Sequence, residues 1–390
     1  MIRVITTVLS ATILLGCGSG SQQKIAEKTN EGYSIPLTHA NDLALDRLKM
    51  PEGFEISVFA RVDDARSMAM SPSGTLFVGN RKNGDKVYAL QDTDGDFKAD
   101  KMWVLAEGLR MPNGVAFKDG DLFVAEVSKL WKFPDIENNL ADPQKELIYD
   151  DYPTDGHHGW KYIAFGPDGK LYVPVGAPCN ICESKDEIYA SITRMDKDGS
   201  NREVFAHGVR NTVGFTWHPQ TEEMYFTDNG RDMLGDDIPP CELNRATEPG
   251  QHFGYPYWHG GDIQDPEFGS KFPQDDFVEP VQNLGPHVAP LGIKFYTGNQ
   301  FPKKYRGRAF IAEHGSWNRS EEAGHTGYRI TMVEVVNGEG KSYEPFITGF
   351  LDKETNEDWG RPVDLLILED GSMLVSDDEN GAVYRVAYKG

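Results

Sequence analysis

The sequence predicts an all-β chain folded as a six-bladed β-propeller with an irregular insertion near residues 231–290, and three observations lead there. Glycine (41) and proline (23) are abundant and helix-patterned stretches are few, as turn-rich β structure requires. Six segments share one pattern, a turn of Gly, Pro, Asp or Asn followed by alternating or wholly apolar residues. Strand-like stretches flank the array, FEISVFARV at 54–62 and AVYRVAY at 382–388, where pairing of first and last segments closes a ring.

The six segments are SPSGTLFVGN from Ser71, FKDGDLFVAE from Phe117, GPDGKLYVPV from Gly166, HPQTEEMYFTDN from His218, YRGRAFIAEHG from Tyr305 and LEDGSMLVSDD from Leu368. Taking Leu76, Leu122, Leu171, Met224, Ala309 and Met373 as equivalent gives intervals of 46, 49, 53, 85 and 64 residues. Periods of this size mark blades or solenoid repeats. The long interval holds the insertion, rich in Gly, Pro, His, Trp and Tyr, and long irregular excursions on a rigid scaffold tend to carry function.

Residues 1–17, MIRVITTVLSATILLGC, place Arg3 before an apolar run too short to span a bilayer, ending in a small residue and Cys17. This resembles a bacterial lipoprotein signal, which implies cleavage before Cys17, a lipid anchor on it, and export to the periplasmic face of a membrane. Gly18 after the cysteine leans the expectation to the outer membrane. Residues 18–50 read as a polar tether and lead-in, and 51–390 as a single propeller domain.

The net charge of −22 argues against nucleic acid, which needs clustered Lys and Arg. With Cys17 lipidated, Cys179, Cys182 and Cys241 allow one disulfide and one leftover thiol, and the pairing stays open. Three thiols without a nearby His fall short of a structural zinc site.

Two constellations stand before repeat segments. Asp155-Gly156-His157-His158-Gly159-Trp160-Lys161 precedes IAFGPDGKLYV, where an imidazole at the inner end of a strand can reach the central channel and take a proton near neutral pH. His207-Gly208-Val209-Arg210-Asn211 precedes the next repeat.

A His eight residues before Gly-Pro-Asp-Gly, an Arg-Asn pair before the following blade and then an acidic Gly-containing loop together resemble the soluble pyrroloquinoline quinone (PQQ)-dependent glucose and aldose dehydrogenases. The segments VGAPCNIC, GVRNTVGF, TDNGRDMLGDD, APLGIKFY, AEHGSWNR and GRPVD are most similar to the sorbosone dehydrogenase branch, and the resemblance runs from Pro51 to Tyr388. It implies His158 as general base, better placed than His157 by its spacing to Gly166. Arg210 would stabilise developing negative charge, Asn211 and Asn113 would contact PQQ, and Arg319 and Arg361 would meet its carboxylates. It implies Ca²⁺ at the carbonyls of Gly230 and Arg231, supported by Asp237. The sequence departs from the family in three places. Val175-Gly176-Ala177 replaces the Asp that orients the base, Val363 replaces a second Arg, and Asn113 replaces a Gln.

Asp92, Asp94, Asp96 and Asp100 form a separate acidic run that reads as a calcium loop or a solvated turn; Phe97 replaces the usual Gly and no Glu stands at the twelfth position, so it is no EF-hand. Trp258, Trp317, Tyr255 and Tyr257 are candidates for a sugar site or for blade packing. The function expected is PQQ- and calcium-dependent oxidation of an aldose or sorbosone-like sugar, with electrons passed to an external quinone or cytochrome. The rivals are a calcium-dependent lactone hydrolase and a non-catalytic interaction module on the same scaffold.

Overall fold

A computed structural model of the protein describes residues 33–34, 43–81 and 84–390. The expected signal peptide, Cys17 and most of the tether lie outside the described residues.

The chain forms six small antiparallel sheets arranged as a six-bladed β-propeller. The innermost strands are Met68–Met70, Gly114–Lys118, Ala164–Phe165, Phe215–Trp217, Pro290–Phe295 and Pro362–Ile367, in blades one to six. Inner strands of neighbouring blades contact one another in five of the six steps around the axis, and in the step from blade three to blade four Tyr162 packs against Phe215. Leu76, Leu122, Leu171, Met224, Ala309 and Met373 all lie on the second strand of their blades, so the repeat register read from sequence is the register of the fold. Phe54–Arg61 pairs antiparallel with Ala382–Tyr388, making the first strand of the domain the outermost strand of blade six and closing the ring.

Six apolar clusters, one between each pair of adjacent blades, hold the ring together. Between blades one and two, Phe77, Val87 and Ala89 meet Val115, Leu122 and Val124; between blades five and six, Phe310 and Ile330 meet Leu365, Val375 and Tyr384. Each second strand is apolar on both faces because both are covered by neighbouring blades: Leu76, Phe77 and Val78 are each wholly buried. The lead-in also joins the core, with Leu48 packed in the cluster between blades five and six and Lys49 bridging to Thr348.

The insertion proves to be two excursions, because Pro240–Ala246 and Gln282–Pro286 are the third and fourth strands of blade four. In the longer one, Gln251–His252 runs parallel to Glu203–His207 as a fifth strand on blade three, and Trp258–His259 pairs with Ile263–Gln264 as a short hairpin. Near the axis, Val213, Leu291 and Val363 pack together with Trp160 against them. Val363, where the family resemblance expects an arginine, is thus part of an apolar floor.

Candidate active site

A cavity of about 720 Å³ opens where the residues leading into the inner strands converge. Arg66 stands just before blade one's inner strand, His157, His158 and Trp160 before blade three's, Arg210 and Asn211 before blade four's, His287 and Ala289 before blade five's, and Arg361 before blade six's; all line the cavity. Arg81, Asn229, Gly230, His314 and Asp378 reach it from the loops that follow the second strands. Repetition of the blade therefore repeats the delivery of one side chain after another to a single space.

His158 is buried and holds a left-handed backbone conformation, φ 49°, which is uncommon for a residue with a Cβ and typical of functional turns. Its Nδ1 lies 3.0 Å from the carbonyl oxygen of Ala177, so Nδ1 carries the proton and Nε2 the lone pair. Burial, the charge of Arg210 and the neighbouring His157 push its pKa down to about 2, keeping the ring neutral. The Asp missing at Val175-Gly176-Ala177 is thus replaced as orienting group by a backbone carbonyl. Gly176 permits the approach: a Cβ there would stand 2.5 Å from the Cβ of His158.

Arg210 is buried and has all five of its N–H donors engaged by protein acceptors. Nε donates to the Asn180 carbonyl at 2.9 Å, Nη1 to the carbonyls of Asn229 (3.1 Å) and Gly230 (2.9 Å), and Nη2 to Asn180 Oδ1 (2.8 Å) and Asp232 (3.0 Å). Its contribution to the cavity is therefore charge rather than a spare donor. Below it, Asp228 accepts the backbone N–H groups of Arg210 at 2.8 Å and Asn211 at 2.7 Å, fixing the turn that presents both. Burial and then Glu242 push the Asp228 pKa up to about 7.

The opposite wall carries three more guanidinium groups. Arg361 pairs with Asp358 at 3.1 Å and donates to the Tyr328 hydroxyl at 2.8 Å. Arg81 lies over Trp160, 3.6 Å from the ring centroid, and burial followed by the charge of Arg66 lowers its pKa to about 10. Arg66 is wholly buried between Asn113 and Asp378 (both 2.8 Å), and its Nη2 has no protein acceptor; Nε1 of Trp160 is buried without one as well. Against the cost of its burial, His314 and Arg66 hold the Asp378 carboxyl well below the usual carboxylate range.

Several sequence-predicted site residues lie elsewhere. Arg319 does not line the cavity; it holds the carbonyls of Asp236, Ala323 and Gly324 and touches Asp237, stapling two loops together. Asp237 is exposed, its side chain 87 % accessible. Asn113 is fully buried behind the wall, where it accepts from Arg66 and donates to Ser67 and the Lys161 carbonyl. The Arg231 side chain turns into the insertion, meeting Asp265 at 2.5 Å beside His259. Tyr255 and Tyr257 pack in that insertion; of the four aromatics singled out, Trp317 alone lines the cavity, and it is 66 % exposed. The acceptors of Asn229 and Gly230 already receive Arg210, so a cation at this loop would share them with a guanidinium.

On blade one, carboxylate oxygens of Asp92, Asp94 and Asp100 lie within 4.8 Å of one another, whereas Asp96 turns to Lys98. Cys179 and Cys182 form a disulfide, and Cys241 is a buried free thiol. Sequence reading missed Arg66, Arg81, Asn180 and Asp378. The blade register could have found Arg66, since it precedes its inner strand as Arg210 and Arg361 precede theirs.

The fold is shared with the holo PQQ domain of a pyranose dehydrogenase from Coprinopsis cinerea, which superposes with a TM-score of 0.72 at 17% identity, covering 87% of this chain and 97% of that one, and with a calcium structure of a Trichoderma reesei enzyme of carbohydrate-active family AA12, with a TM-score of 0.77 at 20% identity, covering 90% of this chain and 99% of that one. A PQQ-dependent pyranose dehydrogenase from Coprinopsis cinerea is 28% identical over 87% of this chain, which spans 54% of that protein's length. An uncharacterized protein from Borreliella burgdorferi is 35% identical over 90% of this chain and 94% of its own length. The chain belongs to the family described as a domain of unknown function, DUF7133, whose model matches residues 40–384.

Proposed function

We propose that this protein is a quinoprotein sugar dehydrogenase. The observation that carries the reading is a neutral imidazole with a defined tautomer, His158, on the wall of a cavity that four guanidinium groups also line, those of Arg66, Arg81, Arg210 and Arg361. PQQ bears three carboxylates, and Arg66, Arg81 and Arg361 offer charge-assisted partners, with the unpaired Nη2 of Arg66 and Nε1 of Trp160 as donors awaiting acceptors. When bound, the cofactor supplies a quinone carbonyl that accepts hydride. His158 Nε2 takes the hydroxyl proton of the sugar, while Ala177 holds the ring in place through Nδ1. The charge of Arg210, fixed close by, favours the negative charge that grows during the transfer.

Three of the five carboxylates that line the cavity are committed to a cation, Asp378 to Arg66 and His314, Asp358 to Arg361, and Asp232 to Arg210, while Asp64 accepts the Arg81 backbone N–H and Glu379 completes the lining. A lactone hydrolase built around a central metal needs such groups as ligands, which favours the dehydrogenase. The reading extends to a lipid on Cys17, a periplasmic station, and an external quinone or cytochrome as acceptor of the electrons; calcium would serve the Asp92 loop and the Gly230 loop. Purified protein lacking residues 1–17, supplied with PQQ and Ca²⁺, should reduce a redox dye with an aldose or with sorbosone. Absence of dye reduction across the sugar panel, with PQQ bound, would sink the assignment.

A further inference from the structure

Resting on the reading that Arg210 supplies charge to the working cavity, we propose that Asn180, framed by the Cys179–Cys182 disulfide, is the residue that positions Arg210. Two of the five Arg210 donors end on Asn180, Nε on its carbonyl at 2.9 Å and Nη2 on its Oδ1 at 2.8 Å. The other three end on Asn229, Gly230 and Asp232, a loop that Asn180 also grips: its Oδ1 accepts the Asp232 N–H at 2.8 Å, and its Nδ2 donates to the Asp232 carbonyl at 3.0 Å. Asn180 thus joins the guanidinium to the loop the guanidinium binds, with both its backbone and its side chain.

The disulfide gives that side chain a fixed base. It closes a four-residue ring around Asn180 and Ile181, and the ring is tied down on its outer side, where Cys182 N–H donates to the Tyr255 hydroxyl at 3.0 Å. The same segment carries Ala177, whose N–H donates to the Arg210 carbonyl at 2.8 Å and whose carbonyl accepts from His158. One short loop therefore sets the tautomer of the base and the place of the charge beside it. Asn180 lies outside the cavity lining and touches no reacting group; it is a positioning residue.

Two variants test this, Asn180→Ala and the double change Cys179→Ser with Cys182→Ser. With Arg210 released, kcat should fall about 10- to 100-fold with KM nearly unchanged, as expected when a reacting array is displaced by about an ångström. PQQ affinity, measured by tryptophan quenching, should stay near wild type, because Arg66, Arg81 and Arg361 are untouched, while Tm should fall modestly as buried Arg210 loses partners or the ring is opened. Burial depresses the proton affinity of His158 most, and the groups facing the ring that add to it are Arg210, His157 and Arg81. NMR titration of the His158 ring should accordingly move to higher pH in both variants with the ring's contacts to Trp160 and Ala177 unchanged, which separates loss of the Arg210 charge from loosened packing. Wild-type kcat and an unmoved His158 titration in Asn180→Ala would overturn the proposal; a disulfide variant indistinguishable from wild type would overturn the ring's part in it. If wild-type protein oxidises no sugar, the dehydrogenase reading fails, while the His158 titration still decides whether Asn180 holds Arg210.

Discussion

Ala177 and His158 are joined by one hydrogen bond, from imidazole Nδ1 to a backbone carbonyl 3.0 Å away, and that bond leaves Nε2 with the lone pair that the proposed proton abstraction needs. A carbonyl cannot be removed by mutating its side chain, but its approach can be. Gly176→Ala places a Cβ 2.5 Å from the Cβ of His158 and 2.8 Å from its carbonyl oxygen. Turnover should fall in this variant although Gly176 does not itself line the cavity. Removing the base itself, His158→Ala, should cost about 10² to 10⁴ in kcat while PQQ binding persists. His157→Ala should do much less, and steady-state kinetics of the three variants side by side checks the order.

The suppressed proton affinity of His158 has a consequence for stability. Its folded-state pKa lies far below the ordinary 6.5, so once pH drops through about 6.5 the unfolded chain binds a proton that the folded chain does not. Stability is therefore lost toward acid, by up to about 1.4 kcal/mol per pH unit from this group. His158→Gln, which never charges, should lose less stability between pH 7 and pH 5 than wild type, as read by denaturant unfolding at both values.

Charge-assisted hydrogen bonds contribute about 1.5–3 kcal/mol each, so Arg361→Ala and Arg66→Ala should each weaken PQQ binding by roughly 10- to 100-fold. Arg319→Ala, by contrast, should leave it unchanged, because Arg319 only staples the loop at Asp236 to the loop at Gly324. Tryptophan quenching titrations separate these outcomes; equal losses in all three would place Arg319 in the site after all.

The acidic loop on blade one offers a separable test. Calcium at a hundred times its Kd should stabilise the fold by about 2.7 kcal/mol. Asp94→Asn should abolish the rise in Tm, whereas Asp96→Asn should retain it, since Asp96 faces Lys98 and stands apart from Asp92, Asp94 and Asp100. Calorimetry with and without Ca²⁺ reads the difference.

Asp265 is buried against Arg231 and His259 in the insertion. Asp265→Ala strands a buried guanidinium and should cost about 3–5 kcal/mol of stability. A loss under 1 kcal/mol in denaturant unfolding would mean that Arg231 finds another acceptor.

The propeller was legible because its signal is local and repeated: a turn bearing Gly, Asp or Pro and a buried second strand recur six times, and Met224 and Ala309 keep register across the insertion. His158, Arg210, Asn211 and Arg361 were legible for a related reason, each standing a few residues before an inner strand. What sequence hid was direction. Arg319 stands near the cavity along the chain, yet the free carbonyls of its own loop and of Asp236 draw it away. Arg66 and Asp378 are 312 residues apart and meet only because the ring closes, so no local pattern announces their pair. Asn180 was hidden inside a Cys-x-x-Cys motif whose cysteines drew the attention its side chain merits.

The most direct test mixes PQQ-loaded protein with sugar in the absence of oxygen and of any external acceptor, and follows the absorbance of the bound quinone through a single turnover. The account predicts that an aldose or sorbosone bleaches the oxidised form in wild type and that His158→Ala, equally loaded, stays oxidised. Bound PQQ left unchanged by the whole sugar panel, or bleached as fast in His158→Ala, would contradict it.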